Sequence, residues 1–402
     1  MSLTVLMVTP YFQPAWAYGG IPRLAYGLAC ALQERGCRVT VVTTDAFDAQ
    51  TRLPAGRAEL HGIEVYRLRN LSNRLAYGQQ LFLPIGVERL LRRLAVEADV
   101  IHLHGFWHLL NNAAVKAADA AGTPIVMTPN GTLLPIERKA RVKELWSVVF
   151  GRPVMAAVDR WIAVSRAELS QFSKAGVDRD RVHLVYNGLD LGEFEELPER
   201  GGFRHAHGIG DRPMLLYLGK LTPRKGVDHL LAATARLKDG AVLVVAGNDM
   251  GVRDALEAQA ADLELGDRVR FVGLITGPER LAALADADVL VYPSTDEIFG
   301  LVPFEGLLCG TPAVVSDDCG CGQLVAQARA GELVRYGDHG GLARSISRLL
   351  DDEDRRRRMV ARGRAFIEKH FAWPRIAAQT EAVYNAAMRE ASIESLTMHP
   401  PE

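Results

Sequence analysis

The chain has 402 residues, 48% of them hydrophobic and 24% charged, with a formal net charge of -1. That length and composition fit a soluble protein of two or three domains, and the near-neutral charge argues against a surface built to neutralise many nucleic-acid phosphates. Cys30, Cys37, Cys309, Cys319 and Cys321 form no CxxC or zinc spacing and fit a reducing, cytoplasmic setting, while "MSLTVLMVTPYF" has no basic leader and too short an apolar run to cross a bilayer.

The first predicted strand, "LTVLMVT", runs into "YFQPAWAYGGIPRLAYGL", a long loop with paired Gly19 and Gly20 before a helix. It carries no GxGxxG, so the dinucleotide fingerprint is missing where a Rossmann fold would place it. A plain flexible loop fits these residues, and so does a loop whose amides approach a phosphate or an acceptor. Further strands are predicted at "RVTVVTT", "IEVYRL", "DVIHLH", "PIVMT", "RWIAVS" and "VHLVYN". Alternation in "DVIHLHGFW" puts Val100, His102 and His104 on one face, with His104 at the carboxyl end. His102 reads as a satisfied core histidine and His104 as a candidate site residue. In "LPIERKARVKELWSVVF", Arg138, Lys139, Arg141 and Lys143 stand beside Val142, Leu145, Trp146 and Val149. That pattern suits an ordinary solvated basic face or a helix lying on an anionic membrane.

The stretch from Leu191 to Pro213 is polar and Gly-rich, and marks an expected boundary between residues 1–190 and 191–373. After it the strand grammar restarts with "PMLLYLG", "AVLVVAG", "RVRFVG", "DVLVYPS" and "TPAVVS". Short aliphatic strands alternating with amphipathic helices predict two doubly wound, Rossmann-like α/β domains facing across a cleft, with ligands at the carboxyl ends of the strands. "YLGKLTPRKGVDHLL" then places Lys220, Arg224, Lys225 and Gly226 between a strand and a helix, where cations oppose the helix macrodipole unless an anion intervenes. A solvated turn or a phosphate site satisfies that pattern.

"VLVYPSTDEIFGLVPFEGLLCG" predicts strand, loop and helix start, with Glu297 in the loop and Glu305 near the helix start. Carboxylates in such apolar company need hydrogen-bond partners, and sugar and ribose hydroxyls are suitable, with amides near Gly300 and Leu301 available to a phosphate. "DRD" at Asp178 to Asp180 and "DAD" at Asp286 to Asp288 precede strands and read as turn and helix-end residues rather than metal ligands. The tail "FAWPRIAAQTEAVYNAAMRE" puts Ile376, Thr380, Val383 and Ala387 on one helical face.

Together these residues resemble glycosyltransferase family 4, retaining enzymes of the GT-B fold. The central match is E-x-F-G-L-x-x-x-E at Glu297, Phe299, Gly300, Leu301 and Glu305, supported by the "GK…RKG" loop, "NGLD", "DVIHLHG", the "YGG" loop and the tail. The resemblance implies that Glu297 contacts the donor sugar and Glu305 the ribose. It gives the diphosphate to Lys220 and Lys225, with the division between Lys220 and Arg224 open because the family more often has Arg at the former. His104 would touch the sugar near the reacting centre, Gly19 and Gly20 would line the phosphate and acceptor loop, and the segment around Leu274 would meet the base. Asn130 and Arg138 are candidates toward the acceptor. The resemblance further implies that the last helix, residues 374–392, crosses back to the first domain. The substrate would be a UDP- or GDP-hexose, with no metal or other cofactor, and the acceptor a glycan, lipid-linked or small-molecule hydroxyl, at the inner face of a membrane or free in the cytoplasm. A nucleotide-sugar epimerase, a phosphorylase and a silent sugar-nucleotide-binding subunit share such a crevice, whereas the missing GxGxxG disfavours an NAD-dependent oxidoreductase.

Overall fold

The computed structural model describes residues 2–134, 147–237 and 240–398. The chain divides into two compact units, residues 1–188 with 371–402, and residues 189–370. Each is a sheet covered on both faces by helices, as runs of Val, Ile and Leu with no polar alternation require.

In the first unit the strands are β1 (Thr4–Val8), β2 (Arg38–Thr44), β3 (Gly56–Leu60), β4 (Ile63–Leu68), β5 (Val100–His104), β6 (Ile125–Thr128), β7 (Arg160–Ala163) and β8 (Val182–Leu184). They lie in the order β3-β4-β2-β1-β5-β6-β7-β8, parallel except for β3 against β4. The chain order reverses at β1, which pairs with β2 on one side and β5 on the other. The helix Trp373–Met398 belongs to this unit, as the resemblance implies. Ile376, Val383, Tyr384 and Ala387 of this helix share a core cluster with Val5, Val39 and Val100.

The second unit holds β9 (Met214–Leu218), β10 (Val242–Ala246), β11 (Val269–Gly273), β12 (Val289–Tyr292), β13 (Ala313–Ser316) and β14 (Gly331–Val334), all parallel, in the order β11-β10-β9-β12-β13-β14. Its reversal falls between β9 and β12, the place where open α/β sheets bind ligands. The polar stretch after Leu191 is not a bare linker. Phe194, Phe203 and Ile209 are buried in this unit, and the Asp286 carboxylate accepts the backbone N–H groups of Gly201, Phe203 and Arg204 to start the short helix Gly202–Ala206. Among the described residues no helix is long and apolar enough to cross a membrane.

Candidate active site

At the second switch point two loops meet. The loop after β9 makes one tight turn, Pro223–Lys225, closed by Gly226 in the left-handed region (φ 67°). A side chain at Gly226 would run into the Pro293 carbonyl, so only glycine lets this turn press against the end of β12. Thr295 N–H donates to the Arg224 carbonyl at 2.9 Å and the Arg224 guanidinium to the Asp296 carbonyl at 3.3 Å, tying the two loops together. Lys220 is half-buried at the start of the loop, and its carbonyl accepts the Tyr217 hydroxyl at 2.9 Å.

These ties bury Lys225. Its ammonium donates to the Tyr292 hydroxyl at 2.6 Å and pairs with the Glu297 carboxylate, to which Tyr292 also donates at 3.0 Å. Burial alone would push the Glu297 carboxyl up, but the Lys225 charge overcomes it and holds the group below the usual carboxylate range. Burial, then the Glu297 charge, keeps the Tyr292 phenol protonated far above its ordinary range. The anion that the Lys225 cation calls for at this helix start is therefore, within the chain, Glu297.

Glu305 stands apart from this group. It sits in the helix Val302–Leu308, whose first turn contains Pro303, and pairs at 2.6 Å with Arg280, itself buried and bonded at 2.5 Å to Glu193. Burial opposes the Arg280 charge, and Glu305 and then Glu193 more than restore it. The two glutamates of the motif are thus held by different cations. Between them Gly300 has φ 69° and Phe299 packs on Phe304. A side chain at Gly300 would crowd Cys321 and Glu297 at 3.0 and 3.1 Å. Leu301 flanks the helix start and Leu274 projects exposed just beyond β11. Sequence reasoning missed Arg280 and Tyr292; the signal for Arg280 was a cation in the first turn of the helix Gly277–Asp286, where the macrodipole disfavours it.

In the first unit His102 is the satisfied core histidine expected: its ring nitrogens meet the Tyr384 hydroxyl at 2.7 Å and the Thr128 hydroxyl at 2.8 Å. His104, at the end of β5, is buried too, yet neither of its ring nitrogens has a partner among the described residues. It faces a cavity of about 30 Å³ lined also by Thr128, Asn130, Asn187 and Trp373, room for a water. Burial, aided by His108, pushes His104 down to about 3, so the imidazole is neutral at neutral pH. Gly19, with φ 105°, precedes the helix Gly20–Glu34 that begins at Gly20. Asn130 takes a left-handed conformation (φ 52°), and the N–H of the next residue, Gly131, is held by the buried Glu168 carboxylate at 2.5 Å. Arg138 and most of its basic segment lie outside the described residues. Asp178 caps a turn and Asp288 accepts Met214 N–H and Arg204, so both aspartate motifs serve the backbone.

Two doubly wound units, each with candidate residues on loops at its switch point, define the GT-B class of nucleotide-sugar enzymes. Residues 18–193 match the model of Glycosyltransferase Family 4 and residues 200–366 that of Glycosyl transferases group 1. The chain is 32% identical over 414 residues to D-inositol 3-phosphate glycosyltransferase of Xylanimonas cellulosilytica, covering 97% of each. The fold is shared with sucrose-phosphate synthase of Thermosynechococcus elongatus, at a TM-score of 0.77 and 24% identity over 96% of this chain and 98% of that one. It is shared also with HepE of Anabaena, solved with UDP and glucose, at 0.76 and 21% over 96% and 100%. The chain belongs to glycosyltransferase family 4 and is a glycosyltransferase.

Proposed function

We propose that the protein moves a hexosyl group from a nucleoside-diphosphate sugar to an acceptor hydroxyl with retention of anomeric configuration and without a metal. The observation that carries this reading is the Lys225–Glu297–Tyr292 group at the β9/β12 switch point, in which Lys225 and Tyr292 are buried and Glu297 is partly exposed, with Arg224 beside it. Lys225, with Lys220 and Arg224, supplies positive charge where the leaving diphosphate gains negative charge, which favours departure without a Lewis acid. Glu297, already ionised by its pairing, accepts hydroxyl donors of the sugar, and Glu305 accepts those of the ribose, with Leu274 beside the base. His104, neutral and with unpartnered ring nitrogens, is suited to hydrogen-bond the sugar rather than to carry charge. The two carboxylates are occupied by different cations, an arrangement unlike the facing acid and nucleophile of a retaining glycosidase. Retention then follows from attack on the face the diphosphate leaves, with that phosphate taking the acceptor proton.

The fold neighbour solved with UDP makes UDP-sugars the first donors to try and GDP-sugars the second. The acceptor is a glycan, lipid-linked or small-molecule hydroxyl; the relative named for D-inositol 3-phosphate makes phosphorylated polyols the first small molecules to try. A thermal-shift screen of UDP-, GDP- and ADP-sugars identifies the donor, because a ligand that binds only the folded chain raises its stability. The anomeric coupling of the product by NMR then tests retention, and a reaction run in chelator tests metal independence. No stabilisation by any nucleotide sugar would remove the donor site, an inverted product the retaining mechanism, and reversible loss of turnover in chelator the metal-free one.

A further inference from the structure

The turn that follows His104 is held from the next helix. Leaving β5, the chain passes through Gly105 in the left-handed region (φ 79°) and Phe106 before the helix Leu109–Ala121 begins, with His108 at its N-cap. A buried turn cannot give its backbone polar groups to water, so each needs a partner within the chain. The Gly105 N–H donates to the Thr128 carbonyl at 3.0 Å and the Phe106 N–H to the Thr132 hydroxyl at 2.8 Å. Three successive carbonyls are taken by two side chains. The His108 ring Nε2–H donates to the His104 carbonyl at 3.0 Å, and the Asn111 amide donates to the carbonyls of Gly105 and Phe106 at 2.9 and 3.0 Å. His104, His108 and Asn111 are all buried.

These bonds do nothing for the helix itself. The first turn of a helix has surplus N–H groups, so a side chain that caps it must accept. His108 makes no side-chain cap, and Asn111, three residues on, turns its donating amide backwards to the strand exit. The Asn111 side-chain oxygen is buried without a partner among the described residues, so the donating half of the amide is the half that the fold uses. What the clamp serves is His104. His102, two residues earlier, is oriented through both ring nitrogens by Tyr384 and Thr128. His104 has no such tether, and its ring lies with its centroid 4.0 Å from that of His102. A ring whose nitrogens stay free for a substrate has to be aimed by packing and by its backbone, and the peptide planes on its carboxyl side are fixed by Asn111 and His108.

We propose that Asn111, with His108, is the positioning residue for His104 in glycosyl transfer, acting on turnover rather than on nucleotide binding. This rests on the reading that His104 meets the donor sugar, and His104→Ala separates the two. The first readout needs no substrate. In histidine-selective NMR of the full chain, the His104 ring signals are those missing from His104→Ala. Asn111→Leu, close in shape but unable to donate, should shift and broaden them while the other histidine rings, His108 apart, keep theirs. Asn111→Ser retains one donor in a smaller side chain, guards against misfolding, and should move them less in the same direction. The second readout is release of UDP from UDP-glucose with water as the acceptor. Asn111→Leu should lower kcat by about tenfold to about a hundredfold, with KM for UDP-glucose and the calorimetric Kd for UDP within about twofold of wild type. His108→Gln sets an amide N–H in place of Nε2–H and should keep most of the turnover, whereas His108→Leu should fall with Asn111→Leu. Unmoved His104 signals in both Asn111 variants, or parallel losses of UDP affinity and turnover, would overturn the positioning role. Slow UDP release by His104→Ala beside a wild-type rate in Asn111→Leu would remove Asn111 alone. A wild-type rate in His104→Ala would take His104 itself out of the reaction, and the proposal with it.

Discussion

Lys225 and Glu297 neutralise each other at the switch point of the second unit, Lys225 buried and Glu297 partly so, and the Tyr292 hydroxyl bonds to both. The pair joins the loop after β9 to the loop after β12, so it holds the switch point in shape. Removing either partner leaves the other charge buried and alone, which costs about 3–5 kcal/mol. We predict that Lys225→Met and Glu297→Leu each lower the stability of this unit by that order in urea titration. The double substitution should recover a large part, giving a coupling energy of about 0.5–3 kcal/mol; additive losses would show that the pair is not an energetic unit. The pH dependence has a definite sign. The folded pKa of Glu297 is depressed, so its contribution is complete above the unfolded carboxyl value near 4.3 and is lost as pH falls through the lower folded value.

Glu168 has the opposite sign. Its buried carboxylate accepts N–H groups of Gly131 and Val164, yet burial outweighs both and raises its pKa to about 7. A raised acid destabilises the fold where it is ionised, so the first unit gains stability as pH falls from about 7 toward the unfolded value near 4.3. Glu168→Gln should remove this component, and the wild-type minus variant melting temperature should therefore rise between pH 8 and pH 5. A difference that is flat across that range would contradict the assignment. The same variant is expected to speed amide exchange at Gly131 or Val164, because their N–H groups meet different carboxylate oxygens and one of these becomes an NH2 donor.

Twelve of the fourteen strands among the described residues were legible from aliphatic runs, because a parallel sheet buried on both faces leaves little freedom in composition. The two that were not, β3 and β14, are edge strands: "GRAEL" is largely polar and pairs antiparallel on one side only, and "GELV" contains Glu332, whose burial depends on Arg348 and Arg355 at long range. The site shows the same division. Local spacing could say that Glu297 and Glu305 need polar partners. It could not say that the partners within the chain are Lys225 and Arg280, since those contacts cross from one βα loop to another and depend on the strand order.

Arg280 gives the clearest functional split. It is bonded to Glu193 and Glu305 at once, and Glu305 is the carboxylate assigned to the ribose. Arg280→Met should strand Glu305 as a buried lone charge and weaken nucleoside-diphosphate binding, read by calorimetry, by about tenfold or more. Arg280→Lys should keep the charge while losing the two-pronged geometry, and give a smaller loss. If ribose recognition is the affected step, both variants should lose discrimination between a nucleoside diphosphate and its 2′-deoxy counterpart. Uniform weakening of both ligands would point instead to a general collapse of the loop.

Besides the core contacts of Ile376, Val383, Tyr384 and Ala387, the last helix is seated by one large side chain at its start. Trp373 lies between Gly27, on the helix Gly20–Glu34, and Gly188, where the first unit's main segment ends, and a methyl group at either glycine would overlap the indole. Neither glycine is needed for its backbone angles, so their role here is close approach. We predict that Gly27→Ala costs about 1–3 kcal/mol through overpacking and shifts the Trp373 environment, visible in fluorescence after the other tryptophans are replaced. Trp373→Leu alone should also destabilise, by leaving a cavity. The pair Gly27→Ala with Trp373→Leu should cost less than the sum of the two, because the new methyl enters the space that the indole vacates. Because Trp373 also lines the small cavity at His104, the same double variant should enlarge that cavity and alter turnover more than stability. Equal, additive losses in stability with unchanged turnover would show that the contact serves only to pack the helix.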